Sequence, residues 1–399
     1  MPAGSGELLE LTVERLAAGG DGVARGPDGV TVFVPLAAPG DRLRVRVTET
    51  RRRYRRAEIV EVLAPGAARV PPRCAAFGRC GGCAWQHLDY AAQLDAKRAI
   101  LADALQRIGG HTLDRQPDIV PSPEPYGYRM RARVLARRGA VGYRTRRSHE
   151  LCATSECPVL APGLLAALDE VRERTASRRE FSEWEIGLGS DGAAHVAESG
   201  APPVTSDPSS AILEVGVDAL LLSPGTFSQA NGLLWDALHE RVVEAAGRGE
   251  RVLELYAGAG FFTLGLARRF GHVVAVESSR SAAADLRGNL SRAGIRDVDV
   301  IEAAAERVVP RRIGTRPDVV VLDPPRAGLP EPVCRGIADL TPRRIVYLSC
   351  DPATLARDTA RLVAHGYALE RTEGFDLFPQ TAHLEALAVL ERRAGAAAG

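Results

Sequence analysis

Lysine is almost missing from this chain of 399 residues: Lys97 is the only one. Arginine in place of lysine is therefore uninformative here, and only the clustering of arginines is a signal. No apolar run approaches the roughly 18 residues that a membrane-spanning helix requires. The opening residues, MPAGSGELLE, lack a basic segment followed by an apolar one, so no secretory leader is expected and the cytoplasm is the expected location. Cysteine is scarce, at seven. In a reducing compartment such cysteines serve as metal ligands or catalysts more often than as disulfides. Strong net charge is also missing: the formal value is +1, which by itself points to no partner.

What is present is an average globular composition, 45 % apolar and 25 % charged, over a length that implies two or three domains. The charge is uneven. Residues 41–63 carry eight arginines against four acids, five of them in RRRYRR (51–56), and residues 126–150 carry eight against one. Such clusters suit either phosphate neutralisation or a solvated surface. Residues 1–64 read as a small OB-like β-barrel: LLELTVERLA, VTVFVPL, DRLRVRVTET and RAEIVEVL alternate and are divided by Gly- and Asp-rich turns. Barrels of this kind often hold oligonucleotides. RRRYRR is expected between the last two strands, with Tyr54 as a stacking surface. PGAARVPP (65–72) reads as a linker into a middle region, 65–222, with a cysteine cluster, a helix over about 89–108, a β-rich and Arg-rich stretch and an exposed loop around 198–210.

From about 216 the pattern becomes strand–helix alternation, the mark of a parallel α/β sheet. RVLELYAG, HVVAVES, VDVIEAA, DVVVLDPP, RIVYLSC and HLEALAVLE are the strand candidates. Ligands of such Rossmann-like sheets lie beyond the carboxyl ends of the strands, where the notable residues fall. Gly258 and Gly260 form a Gly-x-Gly turn after the first strand, and Glu277, twenty-one residues after Tyr256, ends the next, placed for a ribose diol. The third glycine of a dinucleotide fingerprint is missing. S-adenosylmethionine, NAD and no ligand all remain open on this evidence. Asp323, opening DPPRAG, tilts it towards S-adenosylmethionine, because Asp-Pro-Pro here is a feature of methyltransferases acting on bases.

Cys350, in VYLSCDPA, ends the fifth strand. With Asp351 as N-cap and Pro352 in the first turn, the helix N-terminus is expected to lower the thiol's pKa, partly opposed by Asp351. Alone, Cys350 reads as core. Beside a methyl-donor pocket it reads as a nucleophile, since adding a thiolate to carbon 6 of uracil makes carbon 5 nucleophilic. A base must then remove the carbon 5 proton. His383 and Glu385, at the expected start of the last strand and on one face by period two, are the candidates, and spacing does not choose between them. Cys74, Cys80 and Cys83, with Cys157 more distant, suit zinc or a [4Fe–4S] cluster. Cys334 reads as helix core, Trp85 and Trp184 as core.

FSQAN (227–231), LYAGAGFFTL, VVAVE, DPPRAG, LSCDPATLARD and FPQTAHLE occur in the order found in RNA 5-methyluridine methyltransferases of the TrmA/RumA type. The chain resembles that family along its whole length, most densely over 223–399, with an N-terminal barrel similar to a TRAM domain. The resemblance implies Cys350 as nucleophile, Glu385 as proton acceptor, Gln229, Tyr256, Glu277 and Asp323 as S-adenosylmethionine contacts, and Phe227 as a stacking partner for the base. It implies a [4Fe–4S] cluster on Cys74, Cys80, Cys83 and Cys157, the last preferred over Cys152, with zinc the lesser alternative. The chain departs from the family at Phe261 and at Asp351, where Asn is common. The expected protein is a monomeric enzyme methylating a uridine in RNA, ribosomal rather than transfer RNA, with residues 223–399 as its catalytic domain. A cytosine-5 enzyme, an amino-group methyltransferase and an iron–sulfur RNA-binding protein with a degenerate pocket are the competing readings.

Overall fold

The computed structural model describes residues 6–199, 211–309 and 316–393, so the loop expected around 198–210 lies almost wholly outside the described residues. Strands β1 (Leu8–Leu16), β2 (Gly22–Arg25), β3 (Thr31–Val34), β4 (Arg42–Thr50) and β5 (Tyr54–Ala64) close into a barrel in the order β1-β2-β3-β5-β4. Alternation puts Leu9, Leu11, Val13, Val32, Val34, Leu43 and Val45 into its core. β2, only four residues long, was not legible within its glycine-rich turn. RRRYRR lies between the last two strands only in its first half: Arg51, Arg52 and Arg53 connect β4 to β5, and Tyr54, Arg55 and Arg56 begin β5. Tyr54 packs edge-on against Phe33 at 5.7 Å, with the Arg56 guanidinium 5.9 Å from each ring.

Asp89 caps α1 (Tyr90–Arg107) by accepting from the Ala92 N–H. After β6 (Asp118–Val120), strands β7 (Arg131–Arg137), β8 (Ala140–Arg144) and β9 (Leu151–Ala153), helix α2 (Leu164–Thr175) and strands β10 (Ser182–Leu188) and β11 (Ala194–Glu198) form an antiparallel sheet, β11-β10-β7-β8-β9. α2, unexpected in a stretch read as β-rich, lays Leu164, Ala167, Leu168 and Val171 on Ala132, Val134, Ala136, Trp184 and Ile186. That spacing of three and four residues is the helical signature. A hairpin, β12 (Ala211–Val215) and β13 (Asp218–Leu222), follows.

The remainder alternates α3 (Trp235–Ala246), β14 (Gly249–Leu255), α4 (Thr263–Ala267), β15 (Phe270–Glu277), α5 (Arg280–Arg292), β16 (Val298–Glu302), α6 (Ala305–Val308), β17 (Val319–Leu322), α7 (Glu331–Leu340), β18 (Arg344–Ser349), α8 (Pro352–Ala364), β19 (Tyr367–Phe375) and β20 (Glu385–Arg392). Its sheet runs β16-β15-β14-β17-β18-β20-β19-β6, with β20 antiparallel to both neighbours. The strand order reverses between β14 and β17, where a ligand crevice is expected. β17 is buried throughout, as a doubly covered parallel strand should be. β19 was missed because YALERTEGF is polar and half-exposed over most of its length. β6 pairs with β19 and α1 packs on α8. Residues assigned by sequence to the 65–222 region therefore complete the large sheet, so the 65–222 and 223–399 regions are not structurally separate. Among the described residues no helix is long and apolar enough to cross a membrane.

Candidate active site at the carboxyl ends of the large sheet

Beyond β14 the chain turns through positive φ at Tyr256 (65°), Gly258 (57°) and Gly260 (100°). A Cβ on Gly260 would stand 2.7 Å from Leu286 Cδ1 and 2.9 Å from Leu264 Cδ1, so the turn requires glycine there. The Gly258 N–H donates to Glu277 Oε2 at 2.9 Å and the Ser279 N–H to Oε1 at 2.6 Å. Two main-chain donors thus orient Glu277 at the end of β15, and its remaining lone pairs can accept from a diol. Tyr256 contributes the turn, while its phenol, raised by burial, neighbours Glu306, Cys334 and Asp358.

Asp323, at the end of β17, lies 3.5 Å from Gln229 Nε2, and burial pushes its carboxyl up to about 7. Gln229 is itself fixed by the Trp235 indole, which donates to its carbonyl at 2.8 Å. Behind this crevice Glu254 is fully buried on β14. Burial, with Asp323 and Glu277 adding, pushes its carboxyl up to about 8. Helix α5 holds both walls. Asp285 accepts from the Ser223 N–H and from the Ser223 and Thr226 hydroxyls, while Asn289 Nδ2 donates to Ala259 O at 2.8 Å and to Leu221 O at 3.2 Å. One helix therefore positions the Gly-x-Gly turn and the segment that presents Phe227, which is 69 % exposed.

Cys350 follows β18, adjacent to β17, as the sequence placed it. Its thiol is not activated in the expected direction. Burial, then the charges of Glu385 and Asp323, push it up to about 11, opposed by the charge and hydrogen bond of Arg326. The helix N-terminus is turned to another use: Asp351 Oδ1 accepts from the Ala353 and Thr354 N–H groups at 2.9 Å each. The donors that would have favoured a thiolate are thus satisfied by a neighbouring carboxylate.

Glu385 opens β20 and is 3 % exposed. Burial and Asp323 raise its carboxyl well above the ordinary range, again opposed by Arg326, and its Oε1 has no hydrogen-bond partner. His383 precedes the strand rather than sharing its face. Its ring packs edge-on to Phe378 at 6.0 Å, and burial with Arg326, Lys97 and Arg129 lowers it to about 4. His383 is thus a weak base in a packed ring. The loop leading to Glu385 is clamped from α1. Lys97 donates to Asp376 and, at 3.0 Å, to Phe378 O, while the Gln380 N–H donates to Gln93 Oε1 at 2.8 Å and Gln93 Nε2 to Gln380 Oε1 at 3.1 Å. The single lysine is thus a buried structural cation, offset by Asp376.

Cys74, Cys80, Cys83 and Cys157 line one cavity with Arg129 and Tyr143, and none of the four is in a disulfide. Tyr143 Oη stands 3.5 Å from Cys157 Sγ. Burial pushes Cys80 up to about 11 and Cys83 to about 12. Among the described residues no three His, Cys, Asp or Glu side chains gather closely enough to hold a single metal ion. Cys152 is buried on β9 and does not line the cavity. Cys334 is buried on α7, and Trp85 and Trp184 are core as expected.

Residues 221–393 match the family tRNA (Uracil-5-)-methyltransferase, and residues 3–60 match the TRAM domain. A 23S rRNA (uracil(1939)-C(5))-methyltransferase RlmD of Halomonas elongata is 37 % identical, covering 98 % of this chain and 90 % of that one. The protein of the same name from Alkalilimnicola ehrlichii is 35 % identical, covering 97 % of each. The chain belongs to the RNA uracil-5 methyltransferase family. Among solved structures, the tRNA (uracil-54, C5)-methyltransferase of Pyrococcus abyssi, in complex with S-adenosyl-L-homocysteine, is similar with a TM-score of 0.76 at 26 % identity, covering 96 % of this chain and 100 % of that one. The large sheet of this methyltransferase is thus that of an S-adenosylmethionine-dependent enzyme, and its barrel is a TRAM domain. Sequence reasoning passed over two residues of the methyltransferase's crevice. Arg326 had its signal in DPPRAG, and Glu254 was a lone acid in the apolar run LELYAG.

Proposed function

We propose that this enzyme methylates carbon 5 of a ribosomal-RNA uridine through a covalent adduct on Cys350, acting in the cytoplasm as a monomer. The observation that carries the proposal is the meeting of Cys350, Asp323, Arg326 and Glu385 beyond β17 and β18, with a buried carboxyl oxygen of Glu385 left without a partner. Gln229, Tyr256, Glu277 and Asp323 hold S-adenosylmethionine. Two oriented carboxyl groups and a tight glycine turn fit a ribose diol and an amino-acid moiety. S-adenosylmethionine, when bound there, supplies an electrophilic methyl group. Cys350 gives its proton to water and adds as the thiolate to carbon 6, and the ring electrons move to carbon 5, which would take the methyl group as S-adenosylhomocysteine leaves. Glu385 removes the carbon 5 proton, and the carbon 6–sulfur bond breaks to return the thiolate. Arg326, which acts on both Cys350 and Glu385, favours the charged form of each and so supports both steps. Phe227 stacks on a base that has left its helix.

The ribosomal substrate is favoured by the relatives that match nearly the whole chain, and a transfer RNA substrate by the solved structure. Mapping 5-methyluridine in total RNA from a strain lacking this protein decides between them. Loss of one ribosomal site is expected, and an unchanged map sinks the proposal.

The four thiols of the middle region hold a [4Fe–4S] cluster. The donor set is all sulfur and lines one cavity, as such a cluster requires. Bound there, such a cluster would tie residues 74–83 to Cys157, a structural task separate from methyl transfer. Anaerobically isolated protein should contain close to four irons and four sulfides per chain; stoichiometric zinc with no iron would refute the assignment.

A further inference from the structure

Two phenylalanines stand among the exposed large hydrophobic residues, Phe227 at 69 % and Phe181 at 49 %. β7 joins their surroundings. At its start Arg131 donates to the Thr226 carbonyl, one residue before Phe227. At its end the Arg137 guanidinium lies 4.5 Å from the centre of the Phe181 ring. The face of the sheet between them, turned away from α2, is lined by arginine. Period-two alternation sends Ala132, Val134 and Ala136 into the core with α2, and Arg131, Arg133 and Arg137 to the other face, with a buried Leu135 between the last two. Arg144 of β8 shares that face by its register with β7. Its acids are Glu185, held by Arg131 and Arg133, and Glu183, held by Arg144.

At the Phe181 end two turns are locked together: the Arg138 N–H donates to Arg178 O at 2.9 Å and the Gly139 N–H to Thr175 O at 3.1 Å. They expose Arg137, Arg138 and Arg179, none of which forms a salt bridge among the described residues, beside one acid, Glu180. A rigid aromatic face under a guanidinium, amid unpaired cations, is the construction that stacks a nucleobase and neutralises its phosphates.

We propose that this outward face of the middle sheet is a track for single-stranded RNA, on which Phe181 stacks a second unpaired base away from the target uridine. The inference rests on the RNA-methylating function and adds the position of that base. From Arg131 to Arg137 is six strand residues, or about 20 Å at ~3.3 Å each. That length takes about six stacked nucleotides, or about half as many stretched, at ~3.4 Å per stacked nucleotide.

The test uses the full-length enzyme and RNA fragments centred on the uridine that it methylates, each arm lengthened one nucleotide at a time. Wild-type affinity should rise in a step once one arm reaches about three to six nucleotides. Phe181→Ala should lose that step, about 5- to 100-fold in affinity for the longer fragments, and Phe181→Trp should restore it. Phe181 is exposed, so truncation leaves no core cavity, and S-adenosylmethionine affinity reports that the fold is intact. Three results would overturn the proposal: no step in wild type, a step of equal size in Phe181→Ala, or an equal loss on the shortest and longest fragments. A wild-type enzyme that methylates no uridine would remove the parent function and this track with it, whereas a missing step alone removes only the track.

Discussion

Cys350→Ala should lower methyl transfer at least about 10⁴-fold while S-adenosylmethionine binds as in wild type. Cys350 is only half-buried and lies beside, not within, the set Gln229, Glu277 and Asp323. Loss of its sulfur therefore leaves the crevice and the fold standing, and what disappears is the bond to carbon 6. Turnover above about one per cent of wild type would show that carbon 5 is activated without the adduct. The same thiol predicts a pH profile. With its pKa near 11 in the free enzyme, about one thiol in ten thousand is ionised at neutral pH. The thiolate is the nucleophile, so the rate of adduct formation should climb as pH rises, close to tenfold per unit, until another step limits. A pre-steady-state rate flat between about pH 6 and 9 would mean that substrate or cofactor binding has already drawn the thiol down, which Arg326 alone does not achieve here.

That discrepancy marks what could be read from the chain. The strands that carry the site were legible because each is an apolar run ending in a polar or turn residue: LELYAG, VVAVES, VVVLDPP and YLSCD place Gly258, Glu277, Asp323 and Cys350 at strand ends. Their order in space then follows from the rules of parallel sheets. The electrostatics were not legible, because they depend on what is buried against what. The N-cap at Asp351 was foreseen, yet its consequence was not: a satisfied helix end no longer offers its N–H groups to the thiol. Likewise Glu254 raises no question as one letter in LELYAG, and only the fold shows that burial, with Asp323 and Glu277 adding, pushes its carboxyl up to about 8.

The edges of the fold escaped for a related reason. β6 and β19 are short or polar, so neither stands out as a buried strand, and their pairing joins residues 118–120 to 373–375. Nothing local announces a contact across that separation. The same holds for Lys97. As the only lysine in the chain it drew attention solely as a compositional oddity, whereas its place is inside the protein, tying α1 to Asp376 and Phe378 and so fixing the approach to Glu385. A cluster of arginines in sequence was a weaker guide than alternation: in β7 it is the register, not the number, that brings Arg131, Arg133 and Arg137 to one face.

Glu385→Gln should stop the reaction after methylation rather than before it. The substitution keeps the shape of a side chain whose carboxyl burial raises well above the ordinary range, so the folded protein loses little stability. Gln cannot accept the carbon 5 proton, however, and without that step the carbon 6–sulfur bond has no route to break. The methylated RNA should then remain attached to Cys350, visible as a protein–RNA species that survives denaturation and carries label from the methyl donor. Release of product should fall by about 10²- to 10⁴-fold, the usual worth of a positioned base, while formation of the adduct continues. His383 offers the contrasting outcome. Lowered to about 4 and packed against Phe378, it would be a poor acceptor, so His383→Ala should give no such trapped species. If instead Glu385→Gln turns over freely and His383→Ala accumulates the adduct, the two roles are reversed. A Glu385→Gln enzyme that forms no adduct at all would place Glu385 before the addition, as the group that receives the Cys350 proton, and its unpartnered Oε1 would then be the acceptor for that proton.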